Sequence, residues 1–168
     1  RPYFKDFALR SIRIADELSL RILSHFDEIL GCGTTLVDAH REPYNTTRII
    51  HYPAYKGDLE PKQMRIGEHS DYGTITLLWQ INDVPGLEVQ DLEGDWHAVP
   101  YEKDSVVVNI GDLLQRWTND YFVSTKHRVV NTHIHQERYS MPHFVDPTPG
   151  TIIYNLRDEP AKYDPIES

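Results

Sequence analysis

The chain has 168 residues, 39% of them hydrophobic and 11% aromatic, which is enough for one domain with a real core and short for two. Its 17 basic and 26 acidic residues leave a net charge of -9, which repels nucleic-acid backbones and anionic lipid surfaces. Cys32 is the single cysteine and no apolar run approaches the roughly 18 residues of a membrane span, so a cytoplasmic chain is expected, without nucleic-acid or membrane partners.

In chain order, Phe7, Ala8, Ile12, Ala15, Leu18, Ile22, Phe26 and Ile29 recur at the three-and-four spacing of one long amphipathic helix, which "GCG" at 31–33 should terminate. Beyond a polar loop the texture changes to short β-branched and aromatic runs bounded by Gly, Pro, Asn or Asp. These are "RIIHYP", "GTITLLWQ", "GLEVQ", "DWHAVP", "DSVVVNIGD", "KHRVV", "RYSMPHFV" and "GTIIYN". Eight such strands predict a sandwich or barrel, and the amphipathic helix must lie on something. "GDLLQRWTND" reads equally as a short helix or a bulged strand. No repeat or internal linker divides the chain, so residues 1–168 are expected to form a single domain, with a helical lead-in over about 1–40 and a β core over about 45–166.

The stretch "GEHSDYGTITLLWQ" sets His69 and Asp71 one residue apart at the mouth of an apolar strand. A His-x-Asp pair arises roughly 0.8 times by chance in this composition, so the pair alone proves nothing. His25 and Asp27 form a second such pair, but they sit in the predicted helix, where residues two apart point in divergent directions. On a strand, residues two apart share a face, so His69 and Asp71 can converge on one ion. A metal that must also bind substrate and oxygen favours two histidines and one carboxylate, with positions left open opposite them. His127, in "STKHRVVN", supplies the second histidine.

Further on, Arg138 and Ser140 are again two apart on a strand-like run. If "NTHIHQE" is the turn of a hairpin, His127 and Arg138 face each other across it, placing an arginine near the metal. A guanidinium fork suits a carboxylate held bidentately, with Ser140 adding a hydroxyl. The set describes a divalent metal with open positions and a carboxylate clamp one short molecule away.

His69-x-Asp71, 55 residues, His127, ten residues, then Arg138-x-Ser140 resembles the iron(II) and 2-oxoglutarate-dependent oxygenases of the isopenicillin N synthase-like group. "RIIHYP", "HSDYGTITLL", "VVNIGDLLQRWTND", "STKHRVV" and "EPAKYDPI" agree with that family's text over about residues 45–166. The resemblance implies a mainly β fold, a double-stranded β-helix or jelly roll with the N-terminal helix outside. It implies Fe(II) on His69, Asp71 and His127, and 2-oxoglutarate chelating the iron with its distal carboxylate on Arg138, Ser140 and the Tyr52 hydroxyl. O2 takes the remaining position, and decarboxylation of the 2-oxo acid is coupled to hydrogen abstraction from a small organic substrate. The carboxylate of Asp71 favours hydroxylation, desaturation or ring closure over halogenation, since similar halogenases carry a small residue there. Phe144, four residues after Ser140, is expected to border the substrate pocket. One departure is Ile50, where plant members often carry Asn.

Other residues have plainer readings. His133 and His135 belong to a solvated turn, and His51 should face away from Tyr52. Asn109 and Asp112 serve a turn after a buried strand, while Trp79, Trp96 and Trp117 are core or interface aromatics. Two rival functions remain: a cupin-like metal-binding module without a co-substrate, against which Arg138-x-Ser140 argues, and an inactive homologue or fragment. Enzymes of this kind carry an N-terminal region that helps close the pocket, and the sequence here opens almost inside its first helix. Consumption of 2-oxoglutarate uncoupled from substrate oxidation is the resulting expectation.

Overall fold

The computed structural model describes residues 2–42, 44–60 and 63–168. Helix α1 (Pro2–Leu30) runs for 29 residues, about 44 Å at 1.5 Å per residue. Its buried seam is Ala15, Ser19, Leu23 and Asp27, flanked by Leu18, Ile22 and Phe26. Phe7 and Ile29, expected on the packed stripe, are exposed, so the stripe is used only along the part of the helix that lies on the sheet. Gly31, at φ 63°, takes the left-handed conformation that ends the helix.

Asp27, the carboxylate of the decoy His-x-Asp pair, has a structural task. Its two oxygens accept the Leu36 and Val37 backbone N–H groups at 2.9 and 3.0 Å, capping the short helix α2 (Thr35–Ala39). His25 points away, toward Glu28.

The strands that follow are β1 (Thr46–Thr47), β2 (Ile50–Tyr52), β3 (Ile66–His69), β4 (Ile75–Gln80), β5 (Leu87–Gln90), β6 (Trp96–Ala98) and β7 (Val107–Ile110). After α3 (Asp112–Trp117) come β8 (His127–Val129) and β9 (Arg138–Val145), then β10 (Ile152–Ile153) and β11 (Ile166–Glu167). The ambiguous "GDLLQRWTND" is therefore helical over its first half. Its apolar residues Leu113, Leu114 and Trp117 follow helical spacing and are buried together.

One sheet has the order β1-β9-β4-β7, with β2 also paired to β9, and the other has the order β3-β8-β5-β6. Every pairing within them is antiparallel. Because β2, β4, β7 and β9 lie in one sheet and β3, β5, β6 and β8 in the other, the chain winds back and forth between them. That is the double-stranded β-helix of a jelly roll. "GTIIYN" departs from the sequence reading: β10 pairs with β11 outside both sheets.

The hairpin expected around "NTHIHQE" does not form. β8 pairs with β3 and β5, while β9 pairs with β1, β2 and β4, so His127 and Arg138 belong to opposite sheets. A turn between two adjacent apolar runs is compatible with pairing or with crossing between layers, and nothing local in the sequence separates the two.

Strand alternation decides where the core goes. On β4 and β9 the residues Ile75, Leu77 and Val145 face outward into a core shared with Leu23, Leu36, Leu113, Leu114 and Trp117 from the three helices. The alternate residues Thr76, Leu78, Arg138, Ser140, Pro142 and Phe144 face inward and line a cavity. The main apolar core thus lies outside the sandwich, under the helices, and burying each Leu there stabilises by about 1.5–3 kcal/mol. A smaller cluster of Tyr52, Leu87 and Val129 seals one end between the sheets.

Candidate metal centre and anion pocket

His69 ends β3 and His127 begins β8, and the two are cross-strand partners with ring centroids 4.2 Å apart. Asp71 does not share a strand with His69, contrary to the expectation from the sequence. β3 stops at His69, and Asp71 sits on the loop that crosses from one sheet to the other. Convergence comes instead from how that loop is fastened. The Asp112 N–H donates to the Asp71 carbonyl at 2.8 Å, the Thr74 N–H to the Val145 carbonyl at 2.9 Å, and the Gly111 N–H to the Thr74 carbonyl at 3.0 Å. Gly111 lies so close to the Gly73 carbonyl that a Cβ there would collide with backbone.

The result is three ligand atoms facing one point. Asp71 Oδ1 lies 3.6 Å from His127 Nε2 and 3.8 Å from His69 Nε2, too far for hydrogen bonds and close enough to share an ion. The opposite atom of each group is occupied. His69 Nδ1 lies 2.8 Å from the Gly67 carbonyl and His127 Nδ1 lies 3.1 Å from the Thr125 carbonyl, which fixes the proton on Nδ1 and leaves each Nε2 lone pair free. Asp71 Oδ2 accepts the Thr76 hydroxyl at 2.7 Å and the Asn109 amide at 3.0 Å. Asp146, just past the end of β9, has its carboxyl pushed up by burial and by the nearby charge of Asp71, so a second carboxyl stands close to the triad.

Thr76 and Asn109 are themselves cross-strand partners on β4 and β7. Asn109, assigned to a turn on sequence grounds, in fact helps Thr76 to orient the carboxylate. An asparagine inside the apolar run "VVVNI" is the available signal, since a buried amide must find a partner.

At the start of β9, Arg138 is 1% exposed and Ser140 is 2% exposed. Arg138 pairs in register with Tyr52 and carries its guanidinium carbon 5.1 Å from that ring. Burial pulls its pKa down, opposed mainly by the proximity of Tyr52. Nη2 reaches Gln80 Oε1 at only 3.5 Å, and Nη1 is buried with no partner. Among the described residues no carboxylate lies within ion-pair distance of it. A cation fully removed from water without an anion is costly, so this arrangement is built to receive one.

A cavity of about 140 Å³ joins the two ends; His69, Asp71, His127, Tyr52, Arg138 and Ser140 all line it, and Phe144 and Ile50 form part of its wall. His51 faces the other way and stacks on Tyr139 at 4.6 Å, as expected of a neighbour of Tyr52 on a strand. His133 and His135 are exposed in the turn; His133 is bonded locally to Thr132, and His135 lies 2.9 Å from the carbonyl of the distant Tyr55. Trp117 is buried in the core, Trp79 packs against it, and Trp96 lies under Arg128.

The model of the 2OG-Fe(II) oxygenase superfamily matches residues 44–147. Proline hydroxylase buaE of Petromyces alliaceus is 42% identical over 97% of this chain and 54% of its own length. The 2-oxoglutarate-dependent dioxygenase htyE of Aspergillus rugulosus is 35% identical over 92% of this chain and 50% of its own. Among solved structures, a full-length Neurospora crassa protein crystallised in complex with alpha-KG superposes with a TM-score of 0.88 at 32% identity, over 99% of this chain and 55% of that one. The chain spans about half the length of these relatives. No helix among the described residues is long and apolar enough to cross a membrane.

Proposed function

The chain belongs to the 2OG-Fe(II) oxygenase superfamily, and on that premise we propose that it is a dioxygenase domain that couples oxidation of 2-oxoglutarate by O2 to hydroxylation, desaturation or cyclisation of a small organic substrate. Residues 1–168 are read as one such domain, and its single cysteine suits a reducing, cytoplasmic setting. The observation that carries the proposal is the buried guanidinium of Arg138, with Nη1 unpartnered and no carboxylate beside it among the described residues, in the same cavity as the His69, Asp71 and His127 triad. A cupin-like metal module has no need of that charge.

In this reading Asp71 Oδ1 and the two Nε2 atoms hold iron(II) on one side, a donor set of two imidazoles and one carboxylate that suits this ion and leaves positions open. When bound, iron(II) supplies oxidative decarboxylation of the 2-oxo acid and the oxidising power that attacks a substrate C–H bond. Arg138 takes the distal carboxylate of 2-oxoglutarate, Ser140 and Tyr52 add hydroxyl donors, and each charge-assisted hydrogen bond is worth about 1.5–3 kcal/mol. Thr76 and Asn109 keep Asp71 from rotating, and the Gly67 and Thr125 carbonyls keep both imidazoles in the ligating tautomer. The apolar wall, including Phe144, holds the substrate and excludes water.

Anaerobic titration with iron(II) and 2-oxoglutarate tests this directly. The wild-type chain is expected to develop the weak visible charge-transfer band of a chelated 2-oxo acid. His127→Ala should abolish the band, and Arg138→Ala should move its appearance to much higher co-substrate concentration. A wild-type chain that binds iron but gives no band with 2-oxoglutarate would refute the proposal.

A further inference from the structure

The register of the larger sheet puts a second arginine on the cavity side. Thr46, Ile50 and Tyr52 are cross-strand partners of Phe144, Ser140 and Arg138, and side chains opposite one another share a face. Arg48 falls in the same alternation, with its backbone N–H donating to the Pro142 carbonyl at 3.0 Å, so it stands on the face that carries Ser140, Pro142 and Phe144. Its guanidinium carbon lies 5.4 Å from the centre of the Phe144 ring, on the edge of the sheet and exposed. Among the described residues it makes no ion pair and no side-chain hydrogen bond, whereas Arg41, Arg128 and Arg157 each hold a carboxylate. Pro142 and Phe144 next to it begin an apolar stretch of the cavity wall that Leu78 and Val107 continue across the sheet.

Phe144 ties this cation to the reacting end. It is the cross-strand partner of Thr76, the residue whose hydroxyl holds Asp71. An apolar body lying on Phe144 would therefore sit beside the triad, with a free guanidinium at its outer end.

We propose that Arg48 is a specificity-determining residue that binds a carboxylate of the substrate, so that the chain acts on small organic acids whose aromatic or aliphatic body lies on Phe144. This deepens the reading of the cavity given above and rests on it. Arg138 is buried at the sealed end and serves the co-substrate; Arg48 stands at the open edge and serves the substrate. The two roles are separable because Arg138 lies opposite Tyr52 at one end of the inward-facing row, while Arg48 stands beside Pro142 and Phe144 toward the other.

The probes are 3-phenylpropionate and its neutral isostere 3-phenylpropionamide, titrated calorimetrically and anaerobically into the chain loaded with iron(II) and saturating 2-oxoglutarate. The acid is expected to bind at least about tenfold more tightly than the amide, with the ratio shrinking as salt rises because the guanidinium is exposed. Arg48→Ala should bring the ratio to about one without changing 2-oxoglutarate binding, and Arg48→Lys should restore only part of it, since an ammonium lacks the fork. Equal binding of the two probes by the wild type, failure of both to bind, or a ratio that survives Arg48→Ala would each overturn the proposal. So would a ratio lost in Arg138→Ala and kept in Arg48→Ala. If 2-oxoglutarate itself does not bind the wild-type chain, the function proposed above fails, and the acid-to-amide ratio measured without co-substrate still judges Arg48.

Discussion

The two ends of the cavity are prepared in opposite ways. At the triad end, each ligand's far atom is already bonded: to the Gly67 carbonyl, to the Thr125 carbonyl, and to Thr76 and Asn109. Only the three atoms that face one another are free. At the other end, Arg138 is buried with one nitrogen unpartnered and the other weakly engaged with Gln80. The first end is finished as geometry before anything binds, and the second is unfinished as electrostatics until an anion arrives. Rigid orientation suits a metal, whose ligands must point within narrow limits; an uncompensated charge suits a carboxylate, which gains most where water is excluded.

That contrast predicts opposite signs for stability and binding at Arg138. Arg138→Met removes a buried cation that has no anion and leaves a flexible, shorter apolar side chain. In the absence of 2-oxoglutarate this should stabilise the fold by about 1 kcal/mol or more, a rise in Tm of about 2–4 °C for a chain of this size. The concentration of 2-oxoglutarate needed for half-saturation should rise at least about 100-fold, from loss of two charge-assisted hydrogen bonds. Thermal unfolding and the charge-transfer titration read the two effects separately. A variant that lost both stability and co-substrate would mean that Arg138 is a structural member of the core, and the contrast would collapse.

The finished end should respond differently. Asn109→Ala leaves Asp71 held by Thr76 alone, and loss of such a supporting bond typically weakens metal affinity about 10–100-fold. Competition with a chromophoric chelator measures that loss. At saturating iron the affinity for 2-oxoglutarate should stay within about threefold of wild type, because Arg138 is untouched. Equal losses of iron and of co-substrate would show that the two ends are one coupled unit.

These residues also show what one sequence exposes. The long helix, seven of the eight strands of the sandwich reading, and which three side chains converge, His69, Asp71 and His127, are legible, because 3.6-residue and two-residue periodicities and the spacing of these residues survive in one dimension. Strand alternation gives the wrong reason for the convergence of His69 and Asp71: their closeness depends on a loop tied to β9 and α3, and those ties join residues dozens of positions apart. The pairing of β8 is hidden for the same reason, since a run such as "KHRVV" carries no mark of which sheet it joins. Asn109 looks like a turn residue in one dimension because its partner Asp71 lies 38 residues earlier. Periodicity reports which face is buried and stays silent on what the buried polar groups meet.

The smallest expected effect concerns the fastening of the triad loop from behind. His40, buried after α2, has Nδ1 at 2.6 Å from the Leu36 carbonyl and Nε2 at 2.8 Å from the Thr74 hydroxyl, three residues past Asp71. Burial pulls its pKa below the ordinary 6.5, against opposing contributions from the Leu36 hydrogen bond and from Asp27. His143, buried on β9 beside Asp16, is lowered by the same cause. Below about pH 6.5 the unfolded chain therefore binds protons at these sites that the folded chain refuses, and stability falls as pH falls; above that value both states are neutral and the effect vanishes. The Tm of the metal-free chain should decline from about pH 7 to about pH 5.5, and His40→Gln should flatten part of that slope while leaving the His143 share. Because Gln lowers the Tm at every pH if it packs less well, the slope and not the level decides. An unchanged slope would mean that the loop behind Asp71 opens to water before His40 must give up its neutral state, so that the triad end is less rigid than its hydrogen bonds imply.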